Sequence, residues 1–389
     1  MNVLLLPSSA EALRLRLETR AHELGVAELR IASAFTDDES RERMRQSFAR
    51  GDLATWRYDE GYARTAADPQ QVLAGARSVV CIAIPYNTPA PKRDRLRGRV
   101  SNYAWSNDYH RRVRSVLADL AAIIDETAGE AVTAIACDTK PIAERAFAAR
   151  SGLGWVGKHT TLISPGHGSF IFLGEIVTSV ELSADAPVKK TCGACRRCVD
   201  ACPTGALRGD YTIDATRCIA DLTQRIDAVP RDLRPYVGDW VWGCDLCQLA
   251  CPPTARAGMQ GGEYSMPRDS WAAAPPLVEL LQLRSGEFKR RIAPTAMGWR
   301  GAAVLRRNAA IALGNALDRS AVPALVRALS EDPHPMVRGH VAWALGRIAS
   351  KTALDALRER LPVETDAGVV EEIQIALEPF VTISPLGRS

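Results

Sequence analysis

Cys192-Gly-Ala-Cys195-Arg-Arg-Cys198-Val-Asp-Ala-Cys202-Pro203 is the stretch that decides how this chain is read. Its C-x2-C-x2-C-x3-C-P spacing is the run that ligates cubane iron–sulfur clusters. Two-residue spacers let one tight loop aim consecutive thiolates at a single cluster, and the cysteine before proline lies far enough along to reach a neighbouring one. A second block follows, Cys218 and then Cys244-Asp-Leu-Cys247-Gln-Leu-Ala-Cys251-Pro252. Crossing of the last cysteine of each run predicts one 4Fe-4S cluster on Cys192, Cys195, Cys198 and Cys251. The second cluster then takes Cys202, Cys244 and Cys247, with Cys218 replacing the member that the second run lacks. Structural zinc and disulfides are the competing readings; zinc favours isolated paired knuckles, and a reducing compartment opposes disulfides. Cys81 and Cys137, the other two of ten cysteines, lie in apolar surroundings and read as small buried hydrophobes.

Outward from this block, the chain divides into unlike parts. Ser8-Ser-Ala-Glu11 has a capping-box pattern, and Leu13, Leu17, Ala21 and Leu24 follow at helical spacing up to Gly25. Ser78 to Pro85 and Ala131 to Ala136 are short β-rich runs suited to a buried sheet, while Tyr109 to Thr127 reads as a helix. The fold class expected is α+β: an N-terminal α/β domain over 1–185, then a ferredoxin-like double-cluster domain over 186–258. Gly258-Met-Gln-Gly-Gly262 and Pro275-Pro276 mark a connecting region, 259–298.

The final segment, 299–389, repeats itself. Asn308-Ala-Ala-Ile-Ala-Leu-Gly314 matches His340-Val-Ala-Trp-Ala-Leu-Gly346 at an offset of 32, and Val322, Ala324, Leu325 and Leu329 match Leu354, Ala356, Leu357 and Leu361. Two-helix units of this kind bury their apolar faces only by stacking on neighbours, so the segment reads as a short HEAT-like α-solenoid. It serves either as a binding face or as a structural cap.

Composition sets outer bounds. With 389 residues, 47% hydrophobic and 24% charged, the chain has ample core, and no apolar run approaches the length of a membrane span. The N-terminus carries neither a basic leader nor a long apolar region, so the expected compartment is the cytoplasm, with no membrane partner. A net charge of +4 permits an anionic partner without identifying one. Ser151-Gly-Leu-Gly-Trp-Val-Gly-Lys158 places glycines as in a dinucleotide fingerprint, but it follows a helical pattern, Pro141 to Arg150, instead of a strand. Its glycines read as a helix stop and a loop that lets backbone approach a bulky cofactor.

Several stretches together resemble the epoxyqueuosine reductase family. They are Ser101-Asn-Tyr-Ala-Trp-Ser-Asn-Asp-Tyr-His110, Asp138-Thr-Lys-Pro-Ile-Ala-Glu-Arg-Ala146 and Ala149-Arg-Ser-Gly-Leu-Gly-Trp-Val-Gly-Lys-His159. Gly168-Ser-Phe-Ile-Phe-Leu-Gly-Glu-Ile176, the eight-cysteine pattern, Trp242 to Gln248 and Leu305 to Gly314 complete the resemblance, which covers nearly the whole chain. It implies a cobalamin and iron–sulfur enzyme that reduces epoxyqueuosine to queuosine at the wobble position of tRNA. Cobalamin then carries the hard chemistry, and the two clusters feed it single electrons from a low-potential donor. The expected partners are a tRNA bearing epoxyqueuosine in its anticodon loop and that donor, with a monomeric enzyme.

Asp138 is the proton donor by motif match, and burial against a corrin is expected to raise its pKa, opposed by Lys140, which stands where the family has a small residue. A helix N-cap before Pro141 is the plainer role for Asp138. Arg57, Tyr103, Lys158, His159, Thr160 and Ser169 are candidate cobalamin contacts, along with Asp138 itself. His110 reads as an ordinary hydrogen-bonding residue at a helix start, and Trp240 and Trp242 as shields for a cluster. Lys189-Lys190, Arg196-Arg197 and Arg306-Arg307 are candidate phosphate contacts for tRNA. Two other functions remain open on the residues alone: a corrinoid reductive dehalogenase for small molecules, and a ferredoxin-type electron-transfer protein on a HEAT scaffold.

Overall fold

A strand whose residues are apolar on both faces must be covered on both sides, and Ser78–Pro85 is such a strand, buried along its whole length. The computed structural model describes residues 7–54, 58–130, 132–138 and 140–378. In it, Ser78–Pro85 lies inside a four-stranded sheet, between Glu28–Ser33 and Ile171–Thr178, with Thr133–Ala136 at the far edge. Every pairing in this sheet is antiparallel.

Side chains alternate between the two faces. Val80, Ile82 and Ile84 join the helices Pro7–Glu23 and Tyr109–Ala128, which contribute Leu13, Leu17, Val113, Leu117, Leu120 and Ile124 to one core. Val79, Cys81 and Ala83 face the other way, onto Phe147 and Ala148 of helix Glu144–Arg150. Each fully buried large side chain here stabilises by about 1.5–3 kcal/mol. Gly174 sets how closely the long helix can approach, because a Cβ at that position would lie 2.8 Å from Val113 Cγ1 and 3.0 Å from Leu117 Cδ1.

The first helix starts at Pro7, so Ser8 falls inside its first turn and not at its cap. Helix Glu144–Arg150 starts later than the Pro141 expected, and its N-cap is Ala143, so Asp138 caps nothing. Gly152 stops this helix with a φ of +80°. A Cβ at Gly152 would sit 2.3 Å from the Ala186 carbonyl, and one at Gly154 would sit 2.3 Å from the Ile163 carbonyl. Both glycines thus let the chain's own backbone come close.

Beyond the sheet, helices Ala302–Ala316, Pro335–Ile348 and Ala367–Leu377 stack as one layer, backed by Val322–Glu331 and Lys351–Arg360. The offset of 32 recurs in the packing. Gly314 admits Trp343 and Ala344 at 2.7–2.9 Å from where its Cβ would be, and Gly346 admits Ala376 at 2.7 Å. Buried ion pairs repeat likewise, Arg306 with Asp332 at 2.7 Å and Arg338 with Glu364 at 2.8 Å.

This solenoid shares one core with residues 219–242 and with the segment expected to be a mere connection, which buries Trp271, Leu277, Leu280, Leu281, Ile292 and Met297. Arg307 is fully buried and donates to the carbonyls of Leu222, Arg225 and Asp227 at 2.6–2.8 Å. Asn308 donates to Thr223 and Val241. The Arg306-Arg307 pair is therefore internal structure and is withdrawn as a phosphate contact. Lys189, Lys190, Arg196 and Arg197 are exposed. No helix among the described residues is long and apolar enough to cross a membrane.

Candidate active site

Three loops meet where the sheet faces the cysteine-rich insert: 101–109, 137–142 and 152–164. The first is held by an acid between two cysteines. Asp245, buried between Cys244 and Cys247, accepts from the Ser101 hydroxyl at 2.7 Å, the Asn102 amide at 2.8 Å and Gln248 at 3.0 Å. Tyr103 then receives the indole N–H of buried Trp242 at 2.8 Å, and its ring meets Tyr109 edge-on. Tyr109 in turn stacks on His110 and on Phe172.

Asp138 ends the edge strand in a left-handed turn, with φ of +54°. His110 Nε2 lies 3.1 Å from its Oδ2, and His110 Nδ1 lies 2.6 Å from Asp108 Oδ1. Tyr109 also hydrogen-bonds to Asp138. Burial works against a charge on His110, but the hydrogen bonds to the two carboxylates outweigh it and lift the imidazole to about 9. Asp138 is lowered, chiefly by the hydrogen bond from His110 and against the effect of burial. The Asp138 side chain is 61% exposed and faces an imidazolium. The proton of the pair therefore rests on His110. Lys140 is exposed, and Arg145 is the other cation that holds Asp138 down.

The third loop touches the first cysteine run. The Lys158 amide points at Cys192 Sγ at 3.4 Å, and its ammonium donates to the Gly193 carbonyl at 2.7 Å. His159 is buried, which holds it neutral with a pKa lowered to about 4; its Nδ1 meets the Thr161 hydroxyl at 2.5 Å. Thr160 adopts a left-handed φ of +66°, and its carbonyl accepts from Arg145. Ser169 is committed elsewhere: its amide and hydroxyl both bond Thr254, at 3.1 and 3.0 Å, pinning the sheet to the insert. Arg57 lies outside the described residues.

The insert shows an internal repeat. Short helices Arg197–Asp200 and Leu246–Leu249 begin and end alike, each followed two residues later by a Cys-Pro. The cysteines form no disulfide among the described residues, and no three ligating side chains there converge on a single metal ion. Instead the thiols are neighbours of one another. Burial first, then adjacent thiols, raise Cys198 beside Cys192 and Cys251, and Cys251 beside Cys192 and Cys195. Cys218 feels Cys202, Cys244 feels Cys218 and Cys247, and Cys247 feels Cys198 as well as Cys218 and Cys202.

Comparison with known proteins converges on one family. The description "Epoxyqueuosine reductase QueG, DUF1730" matches residues 67–139, a 4Fe-4S double cluster binding domain matches 191–254, and HEAT repeats match 300–378. An epoxyqueuosine reductase of Bacillus anthracis is 34% identical over 365 residues, which cover 91% of this chain and 94% of that protein. The chain belongs to the epoxyqueuosine reductase family. A crystal structure of an epoxyqueuosine reductase with an epoxyqueuosine-modified tRNA-Tyr stem loop superimposes with a TM-score of 0.89 at 32% identity. That match covers 95% of this chain and 99% of the other. A Bacillus subtilis epoxyqueuosine reductase, solved with its catalytic loop swung out of the active site, superimposes with a TM-score of 0.88 at 31% identity, covering 95% and 99% of the two chains.

Within this family's fold, sequence reasoning located Asp138 but missed its partners. His110 and Asp108 were present in the quoted 101–110 motif, and the signal overlooked was a histidine two residues after a helix-capping aspartate. Glu175 was also missed, although a lone acid inside the apolar run Phe170 to Val177 marks it as unusual.

Proposed function

We infer that this protein reduces epoxyqueuosine to queuosine in tRNA, removing the epoxide oxygen as water at the cost of two electrons and two protons. The observation that carries this reading is the Asp108–His110–Asp138 hydrogen-bonded series, set on an epoxyqueuosine reductase fold beside the eight thiols of the double-cluster segment 191–254. We assign Cys192, Cys195, Cys198 and Cys251 to one 4Fe-4S cluster, and Cys202, Cys218, Cys244 and Cys247 to the other.

A cobalamin fits the donor set. His159 Nε2, Trp155 Nε1 and Ser164 Oγ are buried without hydrogen-bond partners on the 152–164 loop, and Asn102 Oδ1 is likewise unpartnered on the 101–109 loop. Such atoms match the amide-rich rim of a corrinoid. Tyr103, Asp138, Lys158, His159 and Thr160 are the residues we assign to hold it, with Arg57 carried over from the sequence and Ser169 set aside because Thr254 occupies it. When bound, cobalamin supplies the low-potential electron chemistry that opens the ring.

The chain's own residues manage the protons. Opening an epoxide builds negative charge on oxygen, and a positioned acid there accelerates reaction by about 10²- to 10⁴-fold. Asp138, exposed toward the site and hydrogen-bonded to a protonated His110, relays the proton held on His110 Nε2 to that oxygen, leaving a neutral imidazole behind it. Asp108 holds the imidazole ring by its other nitrogen. Lys158 and the Tyr103–Trp242 contact tie the same site to the cysteine-rich insert.

The protein is proposed to act in the cytoplasm as a monomer, with a low-potential electron donor. Its four parts, 1–185, 186–258, 259–298 and 299–389, are a proposed division, in which the third is packed core. The test is genetic: in cells that lack epoxyqueuosine reductase activity, expression of this chain restores queuosine in tRNA, and the Asp138→Asn variant does not. Persistent epoxyqueuosine with well-expressed wild-type protein refutes the reading.

A further inference from the structure

Behind the Asp138 loop lies a second acidic pair that the reaction, as described so far, leaves idle. Glu175 sits in the middle of the sheet, paired across strands with Cys81 and Ala136, and is fully buried. Neither of its carboxylate oxygens has a hydrogen-bond partner when both are counted as acceptors. An ionised carboxylate cannot persist in such a place, where nothing donates to it. A carboxylic acid can, because it owns a donor. The group in contact with it is the Glu144 carboxyl, from the first turn of helix Glu144–Arg150. The other end of Glu144 is also engaged: its Oε1 accepts the backbone N–H of Asp138.

We propose that Glu175 is a positioning residue, a neutral carboxylic acid whose O–H is donated to Glu144, so that the doubly hydrogen-bonded Glu144 carboxylate fixes Asp138 in its left-handed turn. The pair then holds one proton and one negative charge between two carboxyl groups, as adjacent carboxyls do when they cannot both ionise. A non-glycine residue at φ of +54° is held there only when its surroundings over-determine it. Glu144 supplies that hold from behind, while His110 acts on the side chain in front. Burial raises Glu175 well above the usual carboxylate range and Glu144 to about 7, which agrees with a shared proton.

The titratable groups that face the pair come from five elements. Arg145 lies on Glu144's own helix, Asp138 and Cys137 beyond the end of the edge strand, Cys81 on the central strand, Tyr62 on helix Glu60–Ala67, and Tyr109 and His110 on helix Tyr109–Ala128. None of them donates a hydrogen bond to Glu175.

The proposal rests on the reductase reading for its kinetic arm but not for its spectroscopic one. The first measurement is the infrared C=O stretch of a neutral carboxylic acid in the full-length, cluster-loaded protein at pH 8, where ordinary carboxylates are ionised. The wild type shows this band and Glu175→Gln abolishes it. The second is turnover of epoxyqueuosine tRNA by the variants. Glutamine can donate to Glu144 as the neutral acid does, so Glu175→Gln keeps kcat within about twofold, whereas Glu175→Leu leaves Glu144 facing an apolar wall and lowers kcat by about tenfold or more with KM little changed. Absence of the band, its survival in Glu175→Gln, or equal losses in the Gln and Leu variants each overturn the proposal. If Glu175→Leu fails to fold, the band and the Gln variant decide alone. If the wild type itself makes no queuosine, the functional reading fails, while the band still decides the protonation of Glu175.

Discussion

Replacing Asp108 by Asn isolates the proton held on His110. Asp108 has two tasks, capping helix Tyr109–Ala128 through the His110 amide at 3.1 Å and charging the imidazole through Nδ1 at 2.6 Å. Asparagine caps helices as well as aspartate does, so the substitution removes the charge and keeps the helix. The lift of His110 from 6.5 to about 9 corresponds to about 3 kcal/mol at about 1.4 kcal/mol per pKa. We reduce this to about 2 kcal/mol because Asp138, one of its two sources, is 61% exposed and screened by solvent. Asp108, shorter in contact and only 31% exposed, carries about half or more of the remainder, so Asp108→Asn lowers the His110 pKa by about 1. The folded pKa is raised above the ordinary value. Its stabilisation is therefore complete below pH 6.5 and is lost as pH rises through about 9. The variant should accordingly be less stable by about 1 kcal/mol near pH 6 and equal to wild type above about pH 10. Activity should follow the same proton: the alkaline limb of kcat moves from near 9 toward 8, while rates on the acid side stay unchanged. The assays are His110 titration by NMR and a pH–rate profile. An unmoved limb together with an unmoved titration refutes the argument that the Asp108 carboxylate charges His110.

Other substitutions test separate joints of the account. Asp138→Asn should keep iron and cobalamin content while lowering kcat by about 10²-fold or more, read by single-turnover product formation; undiminished turnover removes Asp138 from proton delivery. Arg307→Met strips donors from three carbonyls, two of them buried, around helix Ile219–Gln224, whose N-cap is Cys218. It should cost about 3 kcal/mol in denaturant unfolding and lower iron content, and a loss under about 1 kcal/mol contradicts the anchoring role. Deleting 299–389 should strip the second cysteine set of its cluster, because that region shares its core with the solenoid. Full iron loading of the truncated chain would show that the repeats are dispensable to it.

Some of this was legible before any coordinates and some was not, for physical reasons. Ser78–Pro85 declared itself by unbroken apolarity, and the 32-residue offset announced the solenoid because each unit repeats the same glycine and the same ion pair. The double-cluster segment followed from the close spacing of its two cysteine runs. Contacts between residues far apart in sequence were hidden. His110 meets Asp138 across 28 positions, and nothing in either segment alone says so. Charge was misread for the same reason: Arg307 looks like a surface cation until its partners, more than 80 positions earlier, are placed around it. The direction of the Asp138 shift also depended on geometry, because burial and a neighbouring imidazolium act in opposite senses and only the distance decides between them.

The most direct test of the central claim is anaerobic turnover by the purified full-length protein, loaded with iron, sulfide and cobalamin and supplied with a low-potential reductant. The substrate is a tRNA stem loop bearing epoxyqueuosine, and the readout is the mass of the released nucleoside. The account predicts a product lighter by one oxygen atom, formed by the wild type and lost in Asp138→Asn. Unchanged epoxyqueuosine with a fully loaded wild-type enzyme would contradict it.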